Sequence, residues 1–363
     1  MDKSKFIKYS RNFIFFVGLI ALTFWIILKD QDSGVLWQTI KNSDWKFFGL
    51  GILTMSVFLC MEAINIGRML KHLGEKSTFM RNLKYALIGF FFSAITPAAS
   101  GGQPMQIYYM HKDGISAGSS ALTLLANITC VLFVTITLSL FNLIFNYQYM
   151  TFGLAVFFAF GTFINACAIV LFMVAIFSEK TLDKMINFVF KLIRKHADRK
   201  IRRAQRLGLS NSEQIINKAK EKCESRINKL QEQANKYKED AKLIKQNKGI
   251  IVRTLIIYYF QYTLYYLISY WAYRAVGLNE QSWFAITSLQ SIVYATVSGI
   301  PSPGAVGVSE AAYIGLFKSI IPEHLISSIT LLVRCMNFYI FVLISGIVVI
   351  FAIFKSNNKK AQE

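Results

Sequence analysis

Thr96-Pro97-Ala98-Ala99-Ser100-Gly101-Gly102-Gln103-Pro104 interrupts an otherwise apolar stretch that runs from 85 to 110. Ser298-Gly299-Ile300-Pro301-Ser302-Pro303-Gly304 interrupts a second, from 283 to 318. Of the five prolines in the chain, Pro97, Pro104, Pro301 and Pro303 fall in these breaks, and Pro322 alone lies elsewhere. Proline removes a backbone donor and clashes with the preceding helical turn, while glycine lets the chain turn sharply, so each break ends one helix and begins another. Both breaks sit inside sequence apolar enough for lipid. Non-helical backbone at that depth persists only where protein or a water-filled cavity satisfies its polar groups.

The surrounding composition supports a membrane setting. The 363 residues are 54% hydrophobic and 15% aromatic, with 17% charged, where soluble domains carry about 25% charge. So much apolar surface exceeds what one water-soluble core can bury, which excludes a secreted disulfide scaffold, a disordered tail and a soluble nucleic-acid-binding domain. Full spans of about 20 residues are expected near 12–28, 46–67, 116–145, 151–177, 250–275 and 325–354. The first follows Lys3, Lys5, Lys8 and Arg11 and is followed by Lys29-Asp30-Gln31-Asp32. That flank offers no small-residue cleavage site, so it reads as an uncleaved span.

The net charge of +20 is distributed in a way that sets orientation. Segment 1–11 holds four Lys/Arg, segment 68–84 is basic, segment 146–150 is uncharged, and segment 178–249 holds 20 Lys/Arg against 9 Asp/Glu, net +11. Cytoplasmic flanks are enriched in Lys and Arg. Every strongly basic segment lands on the cytoplasmic side only if both broken stretches are re-entrant hairpins, 85–110 entering from inside and 283–318 from outside. The expected fold is therefore all-α and polytopic, with six full spans and two oppositely oriented re-entrant helical hairpins, arranged like an inverted repeat. The expected units are a membrane half over 1–177, a basic cytoplasmic helical hairpin over 178–249, and a second membrane half over 250–363. Both termini are expected in the cytoplasm of a plasma-membrane protein. The excess charge then faces anionic lipid, and no nucleic-acid partner is expected.

The hairpin 178–249 shows an apolar stripe of Leu182, Met185, Ile186, Val189 and Ile193. A break at Leu207-Gly208-Leu209-Ser210 and a capping pair Ser210/Glu213 precede a second helix with apolar residues every three or four positions. Its plainest role is a solvated spacer; a lipid-surface or partner-binding role is the alternative.

Cys60, Cys130, Cys167, Cys223 and Cys335 form no ligand pair, and the four histidines are scattered. No metal site and no cofactor are expected. No phosphate-binding GxxxxGK[ST] loop and no GxSxG elbow occur. Chemistry is expected instead at the breaks. Ser100, Gly101, Gly102, Gln103 and Pro104 lead into a short helix whose start presents free N–H groups and partial positive charge, the outline of a phosphate site. Pro301, Pro303, Gly304, Gly307, Ser309 and Glu310 repeat the design, with a helix expected from about Val306 to Phe317. Glu310 is an acid within an apolar hairpin, and such acids are costly and functional by default. Arg334, inside the last span, is the expected cationic partner; a purely structural Glu310–Arg334 pair is the competing explanation. Glu62 and Arg68 lie near one end of the second span, where snorkelling accounts for Arg68. Tyr259, Tyr262, Tyr266, Tyr270 and Tyr273 share one helical face, suited to packing or to a polar-edged path for a headgroup.

At Thr96-Pro97 with Gly101-Gly102-Gln103-Pro104, and at Pro301-Ser302-Pro303-Gly304 with Gly307-Val308-Ser309-Glu310, the chain resembles a known family. That family is the flippase-type transmembrane region of the lysylphosphatidylglycerol synthase/flippase proteins, the multiple peptide resistance factors. The resemblance spans about residues 10–354. It implies a bacterial membrane protein that handles an anionic or aminoacylated phospholipid such as lysyl-phosphatidylglycerol and contributes to resistance against cationic peptides. The C-terminal synthase domain of full-length relatives is expected to be absent, while Gln103 stands where many relatives carry an acid. A separate synthase chain would then be a natural partner, and an oligomer is compatible with the pattern. Two other readings compete: a lysyl-tRNA-dependent phosphatidylglycerol lysyltransferase, alone or with a separate catalytic chain, and a non-transporting membrane scaffold.

Overall fold

The computed structural model describes residues 38–96, 99–207, 212–298 and 307–360. The expected span at 12–28, the Ser210 cap, and Pro97, Pro301, Pro303 and Gly304 lie outside these residues.

Among the described residues all regular structure is helical. In chain order the helices are α1 (Trp45–His72), α2 (Phe79–Ala94), α3 (Gly102–Lys112), α4 (Ala117–Asn146), α5 (Phe152–Phe177) and α6 (Glu179–Leu207). There follow α7 (Ser212–Gln246), α8 (Gly249–Ala275), α9 (Trp283–Ser298), α10 (Val308–Phe317), α11 (Glu323–Arg334) and α12 (Ile340–Lys360), with a π-helical turn, Cys335–Tyr339, joining the last two. Side chains fix several starts. Asp44 accepts from the Lys46 amide at 2.9 Å, Thr78 from the Arg81 amide at 3.4 Å, and Thr151 from the Leu154 amide at 3.4 Å, each satisfying a donor that the first turn leaves open. Beyond the ends of α1 and α8, Gly74 (φ +79) and Gly277 (φ +88) take the left-handed conformation that stops a helix.

Four helical stretches are long and apolar enough to cross a membrane: Trp45–His72, Ala117–Tyr149, Phe152–Phe177 and Glu323–Ile353. They coincide with the spans expected at 46–67, 116–145, 151–177 and 325–354. The stretch at 250–275 forms α8, 27 residues long. Seven tyrosines, with Arg253 and Arg274, make it less apolar than those four.

The helix starts contain a repeat. α1, α2, α3 and α4 begin at 45, 79, 102 and 117, and α8, α9, α10 and α11 begin at 249, 283, 308 and 323, later by 204, 204, 206 and 206 positions. Each series runs long helix, 16-residue helix, break, short helix, then a long apolar helix. The leading helices of the two series pack antiparallel. The Asp44 amide donates to the Ala275 carbonyl at 2.7 Å, Trp271 Nε1 to Thr54 Oγ1 at 3.1 Å, and Tyr258 OH to Glu62 at 3.3 Å, so residue numbers rise on α1 as they fall on α8. The leading helices of the two series therefore run in opposite directions.

Apolar side chains face outward as well as inward: Phe152, Phe157, Phe160 and Phe163 on α5 are exposed, as suits a lipid neighbour. Polar side chains are set among the apolar core. Asn142 donates to Ser291 at 2.8 Å, Asn165 to Ser298 at 2.7 Å and Ser269 to Gln290 at 2.9 Å. These bonds tie α9 to α4, α5 and α8, each contributing about 1 kcal/mol in a lipid setting.

α2 and α3 form an antiparallel pair. At its base Asp113 accepts hydrogen bonds from Lys84 and, at 2.7 Å, from Tyr85 OH. Near the break the helices almost touch: a Cβ on Gly102 would stand 2.1 Å from Ser93 Oγ and 2.8 Å from the Gly89 carbonyl. Burial alone would raise the Asp113 carboxyl, but the hydrogen bonds from Lys84 and Tyr85 and the charges of Lys84 and Arg81 outweigh it and hold the group below its ordinary value of 3.8. The folded protein thus binds this proton less readily than the unfolded chain. The cluster's stabilisation is complete above pH 3.8 and drains away as pH falls through the lower, folded-state value. Thermal unfolding in detergent should show that acid-side loss, and Asp113→Asn should lower the melting point at neutral pH while removing this part of the pH dependence.

α6 and α7 pair along their length, and α7 is docked on the membrane helices. Ser116 Oγ and the Gly118 amide donate to Gln233 Oε1 at 2.9 and 3.1 Å, and Ser119 Oγ donates to Asp240 at 2.5 Å. Tyr237 OH reaches the Ala175 carbonyl of α5 at 3.2 Å. Asp240 is fully buried and pairs with Lys236 at 3.0 Å; that carboxylate raises the lysine ammonium above its ordinary range. The C-terminal part of α7 is thus fastened to the membrane helices.

Candidate functional site

The second break leads into a buried ion pair. Gly307 precedes α10 with φ +82, a conformation that side-chain-bearing residues rarely adopt, and this turn aims its own amide at Glu310. The Glu310 side chain folds back over the helix start. Its Oε2 accepts from the Gly307 amide at 2.6 Å and from Ser309 Oγ at 3.0 Å. Its Oε1 accepts from Arg334 Nε at 2.5 Å, and Arg334 Nη2 donates to Ser309 Oγ. The Arg334 guanidinium also lies 5.2 Å from the Phe338 ring centroid. Glu310 is 1% exposed and Arg334 8%. Such a buried pair persists because hydrogen bonds occupy its remaining donors and acceptors.

Backbone geometry at Arg334 is also unusual. Arg334 closes α11, and the next five residues form the π turn. π turns widen a helix and expose backbone groups, and they recur at functional sites. Chemically, the start of α10 is an anion site already filled by the chain's own carboxylate. With Glu310 withdrawn, the Gly307 amide, Ser309 Oγ and Arg334 Nε would face one point: three donors suited to a phosphate.

The first break is built differently. α3 begins at Gly102 after Gly101, as α10 begins after Gly307. The Gly101 amide donates to Thr96 Oγ1 at 2.9 Å, and Ala99 has φ +53. Ser100 and Pro104 are exposed, Gln103 is half-buried, and Gly102 is buried against α2. α3 rests on α2 and α4, whereas α10 rests on α9 and α11. The structure thus brings Gly307, Ser309, Glu310 and Arg334 together and leaves Ser100, Gly101, Gly102, Gln103 and Pro104 as a separate group. α10 starts at Val308, two residues later than expected.

Glu62 belongs to a buried polar cluster that its local sequence does not reveal. It lies within α1 and faces α8, not the end of the span. Its Oε1 accepts from Tyr258 OH at 3.3 Å and its Oε2 from Gln261 Nε2 at 3.2 Å, while Asn65 Nδ2 donates to Gln261 Oε1 at 3.2 Å. Among the described residues no cation pairs with it. Tyrosines continue the seam: ring centroids are 6.3 Å apart for Tyr258 and Tyr262, 5.6 Å for Tyr262 and Tyr294, and 5.7 Å for Tyr294 and Tyr265. Asn337 Nδ2 then donates to Tyr265 OH at 3.4 Å, three positions beyond Arg334. A polar seam therefore connects Glu62 with the neighbourhood of the ion pair. Tyr258, Tyr262, Tyr266 and Tyr273 are buried, whereas Tyr259 and Tyr270 are half-buried, so the inner face is turned slightly from the one expected. The detectable sign was an acid inside a 28-residue apolar helix.

Comparison with known proteins places these features in context. The sequence profile described as the lysylphosphatidylglycerol synthase TM region matches residues 13–346. The chain is also similar to a UPF0104 membrane protein of Archaeoglobus fulgidus, 22% identical over 342 residues, covering 93% of this chain and 96% of that relative.

Proposed function

We propose that this chain, which belongs to the lysylphosphatidylglycerol synthase transmembrane-region family, is a lipid translocase that carries an anionic or aminoacylated phospholipid, such as lysyl-phosphatidylglycerol, between leaflets. It is a membrane protein by family and by its four long apolar helices.

The observation that carries the proposal is the Glu310–Arg334 pair at the start of α10. A phosphodiester matches the carboxylate that now fills the site in charge and acceptor geometry. Entry of a headgroup would displace Glu310 and take its place on Arg334, Ser309 and the Gly307 amide. In this reading α2/α3 and α9/α10 are re-entrant hairpins of opposite orientation, covering 85–110 and 283–318. The breaks at Pro97, Ser100–Pro104 and Pro301–Gly304 admit headgroups from opposite sides. The halves 1–177 and 250–363 then move relative to each other across the α1/α8 seam, as inverted repeats do around a central site. The hairpin 178–249 and both termini lie in the cytoplasm, at the plasma membrane. Outward movement of a cationic lipid would lower surface negative charge and so increase resistance to cationic peptides, with a separate synthase chain supplying the lipid.

A leaflet-resolved assay tests this reading. The chain is expressed with and without a separate lysyl-phosphatidylglycerol synthase domain, and total and outer-leaflet lysyl-lipid are quantified. Outer-leaflet enrichment only with the synthase supplied is the expected result. Lysyl-lipid made by this chain alone would overturn the assignment in favour of a transferase, and no change in either pool would remove lysyl-phosphatidylglycerol as the substrate.

A further inference from the structure

We propose that the outward face of α6 lies in the membrane surface as an amphipathic anchor for anionic lipid. Four observations lead there, none of which depends on the translocase reading.

First, α6 does not continue the axis of α5. Ser178 between them is extended (φ −95, ψ 97), and its Oγ accepts from the Thr181 amide at 3.3 Å to start a new helix. A chain leaving the membrane through α5 therefore turns at Ser178.

Second, α6 has more apolar surface than its partner covers. Leu182, Ile186, Phe190 and Ile193 are buried or half-buried, which fits the side facing α7. Phe188, Val189 and Leu192 are 62%, 40% and 50% exposed. At about 100° per residue, Phe188 and Leu192 project together, roughly opposite the packed side.

Third, charge is concentrated on the same helix. α6 carries 10 Lys/Arg against 3 Asp/Glu, while the longer α7 carries 9 against 6. At the same spacing Lys184 and Lys195 fall beside the Phe188–Leu192 line and Arg199 on it. Their stems can cover apolar surface while their heads reach lipid phosphates, which is the pattern of a helix lying in the headgroup plane. Fourth, α7 holds the docking contacts to α4 and α5 through Gln233, Tyr237 and Asp240, which leaves α6 as the outer member of the pair.

An acidic soluble protein would meet the charge but not the exposed phenylalanine and leucine among it; an anionic bilayer meets both. Charge complementarity and the turn at Ser178 together select the lipid surface as occupant.

The test uses the full-length chain with Cys167 and Cys223 replaced by serine. A fluorophore is placed through Phe188→Cys on α6 or, in a parallel sample, through Lys222→Cys on the exposed part of α7. Protein is reconstituted into phosphatidylcholine vesicles with and without phosphatidylglycerol, and the label is challenged with brominated lipid and with aqueous iodide. The label at 188 should be quenched by brominated lipid and protected from iodide by roughly threefold or more relative to 222, more strongly with phosphatidylglycerol present. Leu192→Asp should restore iodide access at 188. Equal iodide access at both positions overturns the proposal. So does protection at 188 without lipid quenching, which would mean that a second copy or a soluble protein covers the patch.

Discussion

Arg334→Ala should abolish lipid movement and destabilise the protein by roughly 3–5 kcal/mol, because it leaves the Glu310 carboxylate buried without its cation. The cost follows from the geometry. Glu310 is 1% exposed, and Arg334 bonds both Glu310 and Ser309. Without the guanidinium, the Gly307 amide and the Ser309 hydroxyl still donate to the acid, but no charge balances it. Such a variant alone would not separate folding from function. The double variant Glu310→Gln/Arg334→Met does so, since removing both charges together is often close to neutral for stability. It should melt near the parent temperature in detergent and still fail to move lipid in proteoliposomes. A double variant that transports normally would show the pair to be structural, and the site would have to lie elsewhere.

This site was largely legible before the structure. Intramembrane charge is expensive, so Glu310 and Arg334 stood out in apolar sequence, and their opposite signs suggested contact. The breaks were legible for a related reason, since proline and glycine are local punctuation that needs no knowledge of the fold. What stayed hidden depends on partners far along the chain. Glu62 looked like an acid near a span end until α8, almost 200 positions later, supplied Tyr258 and Gln261. The docking of α7 rests on Ser119 with Asp240 and Gly118 with Gln233, and neither pair has a local pattern. Gly102 illustrates a different ambiguity. A glycine that lets backbone approach a ligand and one that lets helices touch look identical in sequence, and here the neighbours are Ser93 and Gly89. The repeat spacing of 204 to 206 was present in the sequence but becomes clear only when helix starts are known. The side chains differ so much between copies that Gly101-Gly102-Gln103-Pro104 aligns with Gly307-Val308-Ser309-Glu310, sharing a single glycine.

That alignment also shows where the two repeats diverge, and this bears on Glu62. The acid of the second copy sits at a helix start and has an arginine; the first copy has Pro104 there and no acid. On the first-repeat side the intramembrane acid is Glu62, held by neutral donors on the seam between the repeats. Glu62→Gln should therefore behave unlike Arg334→Ala. The amide oxygen can still accept from Tyr258 or Gln261, and Gln261 keeps its own bond to the Phe58 carbonyl at 3.1 Å, so the melting temperature should change little. Lipid movement should fall by about tenfold or more. A buried acid with no cation paired to it among the described residues is a standing cost, which a stability role alone does not explain. Glu62→Leu adds a stability loss of about 1–3 kcal/mol, because it strands the Tyr258 hydroxyl in the core. Measuring both variants separates the two roles. Loss of transport in the glutamine variant with unchanged melting assigns the carboxyl to function, while parent-like transport in that variant would reduce Glu62 to a packing residue of the α1/α8 seam.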